Sequence, residues 1–159
     1  MAGFKKAHMF RLPSTTDKIE KFINFIMLDG KKNIARWIFE DTLEEIKKNG
    51  HVNPLAVWEA AIDNASPQVM VKSKRVWGAV YQVPLEVPGR KRFFYGSKWI
   101  IDIARAKKWS AMFMRLAEEL LAAYSNQWNA VKKKEDAHKM AEANKAFAYM
   151  AKYVKLNFE

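Results

Sequence analysis

His138 and Glu142 stand four residues apart within AVKKKEDAHKMAEANKAF, Ala130 to Phe147. On a helix that spacing puts both side chains on one face, as a metal site or an acid–base pair would need. The other two histidines, His8 and His51, fall on different segments, and no His-Glu-x-x-His pattern links any of them. There is no Gly-rich phosphate loop, no nucleophile elbow and no paired-acid motif. The chain has no cysteine, which excludes disulfides and thiolate metal sites. Two spaced ligands arise readily by chance, and a surface ion pair or a hydrogen bond to phosphate suits His138 better. The expectation is therefore no enzyme, no catalytic residue, no metal and no cofactor.

The remaining chemistry is charge. The 159 residues carry a formal net charge of +11, with a pI of about 9.8. Such an excess favours a polyanionic partner. Ten basic residues (Lys72, Lys74, Arg75, Arg90, Lys91, Arg92, Lys98, Arg105, Lys107 and Lys108) face only Glu86 and Asp102 over Lys72 to Lys108, a net +8. Clustered cations suit phosphate, because each one neutralised releases a condensed counterion. A membrane surface would want a basic amphipathic helix with a large apolar face. The basic runs here are partly strand and loop, and no apolar run approaches the roughly 18 residues of a span. Nucleic acid is preferred, and no membrane is expected. The opening MAGFKKAHMFRLPSTT has no acid and no apolar core of a secretory signal, so residues 1–16 read as a basic arm.

The elements that must hold these groups follow from periodicity. Asp17 and Glu20 suggest a capping box, with Ile19, Phe22, Ile23, Ile26 and Met27 at helical spacing and Gly30 ending the helix. A second helix spans about Lys31 to Lys48, with Ile34, Trp37, Ile38 and Ile46 inward. Asn53-Pro54 opens a third, whose stripe is Leu55, Trp58, Ile62 and Ala65 and which Pro67 stops. The period then becomes two. Ala79, Tyr81, Val83, Leu85 and Val87 alternate, and Val69 to Val76 can pair with them through Trp77-Gly78. Pro84 confines its strand to an edge or a narrow ribbon. Helical spacing returns around Trp99, Ile100, Ile103 and Ala104, then at Phe113, Leu116, Ala117, Leu120 and Leu121. A last helix places Ala137, Met140, Ala141, Phe147, Ala148 and Ala151 on one side. The reading is mainly α: a single domain over 1–159, with a six-helix bundle-like body and one protruding β-hairpin (69–87) between the third and fourth helices.

Four blocks strongly resemble the bacterial-type ribosomal protein seven of the small subunit. They are FINFIMLDGKKNIA (Phe22 to Ala35), NPLAVWEAAIDNASPQV (Asn53 to Val69), KSKRVWGAVYQVPLEV (Lys72 to Val87) and AVKKKEDAHKMAEANKAFA (Ala130 to Ala148). The resemblance implies a structural protein that binds ribosomal RNA of the 3′ major domain and nucleates assembly of the head. It further implies a hairpin beside exit-site transfer RNA and messenger RNA, and contact with ribosomal protein eleven. By the same resemblance, RNA contacts fall to Lys5, Lys6, Arg11, Lys31, Lys32, Lys72, Lys74, Arg75, Arg90, Lys91 and Arg92. They also fall to Lys132, Lys133, Lys134, His138 and Lys139, with His138 donating a hydrogen bond. Trp77, Gly78, Tyr81 and Gln82 would lie near the exit site. The implied location is the small subunit in a bacterial cytoplasm, with an organellar matrix as the alternative.

The chain departs from the family in its aromatics. Trp77 stands where the family has glycine, and Trp109 and Trp128 replace small links. GRKRFFYGSKW is unusually aromatic, and YMAKYVKLNFE (149–159) is an atypical ending. An alternative reading of the same residues is a divergent or engineered derivative whose added aromatics form a protein–protein or self-assembly interface.

Overall fold

The computed structural model describes residues 16–127 and 129–153. Its elements are α1 (Asp17–Ile26), α2 (Lys32–Lys48), α3 (Pro54–Ala65), β1 (Val69–Val76), β2 (Ala79–Glu86), α4 (Gly89–Ala106), α5 (Met112–Tyr124) and α6 (Asn129–Ala143). A 3-10 helix, Lys145–Tyr153, follows α6. The expected mainly α body with a hairpin between the third and fourth helices is what forms.

Three fully buried rings from α1, α2 and α3 anchor the core. Phe22, Phe39 and Trp58 meet at centroid distances of 5.3, 5.4 and 5.7 Å, two of the three pairs edge-on. That edge-to-face geometry aligns the ring quadrupoles favourably. Leu116 and Leu120 of α5 and Ile100 and Ile101 of α4 close the core from the other side.

Local signals and tertiary demands part at several points. Asn53 does cap α3, accepting a hydrogen bond from the Ala56 amide at 3.3 Å with Pro54 next in line. The capping box on α1 does not form. Thr16 takes the N-cap position and Asp17 is already helical. Glu20 turns instead to Lys32 at 2.7 Å and Arg36 at 2.9 Å, because charge-assisted bonds outbid a single amide. α1 also ends at Met27, with Asp29 and Gly30 forming a left-handed turn beyond it. On α2 the buried face is Ala35, Phe39, Thr42, Leu43 and Ile46; Ile34 is exposed and Trp37 only half-buried. Of the expected stripe Ile46 is buried and Ile38 packs against the core, so the inward face departs from expectation at Ile34 and Trp37.

β1 and β2 pair antiparallel from Val69↔Glu86 to Val76↔Ala79. Pro84, opposite Val71, is tolerated because the ribbon has two strands only. The last apolar stripe does not continue as one helix. α6 stops before Asn144, and Phe147 swings onto Tyr81 of β2 at 5.4 Å. Met150 and Ala151 cover Val83 and Leu85. The hairpin's apolar face requires that cover, whereas Met140 and Ala148 remain exposed.

Candidate nucleic-acid interface

The expected basic residues divide by what their charged ends touch. Some stabilise the fold. Arg105 donates to the carbonyls of Phe25 and Ile26 at 3.1 and 3.0 Å, satisfying orphan acceptors at the end of α1. Lys107 sits 2.6 Å from Glu119, which is 2% exposed, and 3.0 Å from Glu118. Burial alone would lower the Lys107 pKa, but the hydrogen bonds to the two carboxylates outweigh it and raise it. Lys98 pairs with Asp102 one turn on. The +8 segment therefore does not present all its charge outward, because Arg105 and Lys107 tie α4 to α1 and α5 while Lys98 pairs within α4.

The second expected cluster is partly diverted as well. Lys134 donates to the Asn64 carbonyl at 2.8 Å, at the end of α3. Asn64 in turn donates to the carbonyls of Ala123 and Tyr124, at the end of α5. His138 Nε2 accepts the Gln68 amide at 3.0 Å, so that nitrogen carries no proton and the ring's N–H is on Nδ1. Burial, and secondarily the Lys134 charge, hold its pKa below the ordinary imidazole value. Glu142 pairs with Lys145 at 3.0 Å, so the two residues spaced for a metal are each engaged elsewhere. Lys132, Lys133 and Lys139 stay exposed on α6.

Pairing register splits the hairpin's cations. Lys72 and Lys74 lie opposite Val83 and Tyr81, hence on the face that meets the 3-10 helix. Arg75 lies opposite Val80, on the other face, with Ser73 and Gln82, whose side chains bond at 3.1 Å. Trp77 is fully exposed at the tip beside Gly78, while the Tyr81 ring is committed to Phe147. Lys31 approaches Asp29 at 3.8 Å and Lys32 is held by Glu20. The hydrogen bond from Lys32, with help from Arg36, keeps the Glu20 pKa below the usual carboxylate value against a smaller burial effect. Lys5, Lys6, Arg11 and Trp128 lie outside the described residues.

One cationic cluster is built by two elements far apart in sequence. α4 begins at Gly89, so Arg90, Lys91 and Arg92 occupy its first turn instead of a loop. Arg90 and Lys91 there face Lys18 and Lys21 of α1 across a groove of about 430 Å³. Its floor is Phe25, Phe93 and Phe94, and no carboxylate of the described residues lines it. Lys18, Lys21 and Phe25 escaped sequence reasoning, although the i, i+3, i+7 run of two lysines and a phenylalanine on one helix face was a usable signal.

Fold and surface together define a mainly helical protein with exposed cations on its hairpin and around a groove. The sequence model of the family described as ribosomal protein S7p/S5e matches residues 4–145. The small ribosomal subunit protein uS7 of Francisella philomiragia is 53% identical over 132 residues, 82% of this chain and 84% of that protein. The uS7 proteins of Alkalilimnicola ehrlichii and Leptospira biflexa are 46% and 47% identical over 134 and 138 residues. Those alignments cover 84% and 86% of this chain, and 86% and 88% of the relatives. The chain belongs to the ribosomal protein S7p/S5e family, whose members are structural, non-enzymatic components of the ribosome. These relatives are bacterial, which accords with the bacterial rather than the organellar expectation.

Proposed function

We propose that this protein is a small-subunit constituent that binds the 3′ major domain of ribosomal RNA and nucleates assembly of the head. Its hairpin then lies near exit-site transfer RNA and messenger RNA, with ribosomal protein eleven as a neighbour. The observation that carries this reading is the family match across most of the chain, in a protein of net charge +11. Arg75, Arg90, Lys91, Lys132, Lys133 and Lys139 supply phosphate contacts, and the Nδ1–H of His138 is available to donate.

Binding of the purified chain to a transcribed 3′ major domain, titrated across salt, tests the reading. The slope of log affinity against log salt should flatten in R90E/K91E by about 0.7 to 0.9 for each phosphate left without its cation. Equal affinity for an unrelated RNA, with an unaltered slope in the variant, defeats it. The exposed Trp77 and Trp109 favour a second reading, an interface to other protein chains. Concentration-dependent self-association at high salt without RNA would select that one.

A further inference from the structure

Resting on the RNA-binding reading, we infer that the groove between α1 and the start of α4 receives a single unpaired nucleotide of RNA, its base on the phenylalanine floor and its phosphates on the cationic rim. The groove's volume of about 430 Å³ falls within the roughly 300–1,000 Å³ of small-molecule sites. Phe25, Phe93 and Phe94 are each only partly buried, so ring area is left facing the groove. The Phe25 ring meets Phe94 edge-on at 5.4 Å and tilts against Phe93 at 6.3 Å, which fixes the three as one surface. Lys91 Nζ stands 6.0 Å over the Phe94 ring, a cation held where a stacked base would also meet it. Lys18, Lys21 and Arg90 are exposed and have no acidic partner among the described residues.

Charge decides the occupant. Residues 1–15 carry Lys5, Lys6 and Arg11 without one acid, so they offer no charge complementary to a rim of four cations. A second copy of a +11 chain is disfavoured for the same reason. A duplex keeps its bases stacked inside and cannot lay one on a ring. A single strand supplies both the π-face and the negative charge.

The test places benzoylphenylalanine at position 94 of the full chain and irradiates it with a mixed-sequence single-stranded RNA or its blunt duplex. Adducts to the single strand are expected, with few to the duplex. Phe94→Leu, which keeps the apolar volume, should weaken single-strand binding about tenfold, the scale of one base stack removed. Its salt slope should not change, because no charge is removed, whereas Lys21→Ala should flatten the slope. Adducts to residues 1–15 or to a second copy overturn the inference. So does unaltered single-strand affinity in Phe94→Leu while the unsubstituted protein still binds the 3′ major domain, and that result leaves the RNA-binding reading standing. Failure of the unsubstituted protein to bind any RNA sinks both.

Discussion

At the hairpin tip Trp77 has φ +51° and Gly78 φ +88°, the two positive values that a two-residue type I′ turn needs. Glycine takes that region freely, whereas a side chain there meets the following carbonyl at about 1–2 kcal/mol. Trp77 is fully exposed, so no packing against the body offsets the strain. Trp77→Gly should therefore leave the helical core intact and change overall stability by less than about 1 kcal/mol, since the strain relieved is opposed by the added freedom of the unfolded chain. Denaturant unfolding measures it. A loss on the order of 3 kcal/mol, as for a truncated core ring, would mean that Trp77 packs on the body. An exposed indole held under strain is a reason to look for its partner outside the chain.

The helices are fixed by interactions of unequal visibility in sequence. Gly96 lies where α4 crosses the end of α3, and a Cβ there would sit 2.6 Å from Ser66 Oγ and 2.8 Å from the Ile62 carbonyl. The same Ser66 hydroxyl reaches the carbonyls of Ile62 at 2.7 Å and Arg92 at 3.0 Å, its one hydrogen shared between them. Gly96→Ala gains up to about 1 kcal/mol of helix propensity. It also forces α3 and α4 apart, at about 1–3 kcal/mol, and disturbs the Ser66 bonds. The net expectation is a lower denaturant midpoint with an unchanged m-value. A higher midpoint would show that the crossing is looser than this. Asn53-Pro54 and the two-residue period of β2 were legible in sequence because their causes are local. The box at Asp17 and the Ile34 and Trp37 positions of α2 misled because Lys32, Arg36 and the rings of Phe22 and Trp58 decided them through tertiary contact. The site divided in the same way. Arg90 and Lys91 declared themselves as a basic run, but their groove needs Lys18 and Lys21 from α1. Lys107 counted as surface charge until Glu119 lay beside it.

At the scale of the molecule, the described residues form two apolar clusters, the helical core and the smaller one of Val83 and Leu85 under Tyr81, Met150 and Ala151. The His138–Gln68 hydrogen bond ties α6 to the residue that leads into β1. His138 has a folded-state pKa below its unfolded value of about 6.5. Folding thus favours the neutral ring, and its contribution is fully present above about pH 6.5 and lost as pH falls through the lowered folded value. Protonation puts a second N–H opposite the Gln68 amide and a positive charge within reach of the Lys134 charge. The bond, worth about 1 kcal/mol as a neutral pair, becomes a repulsion. Amide-exchange protection at Gln68, corrected for intrinsic rate, should fall on acidification while protection in α2 and α5 holds. In His138→Gln, whose side-chain oxygen accepts at any pH, that loss should vanish. If Gln68 protection follows the same acid profile in both proteins, another group governs the joint between hairpin and body.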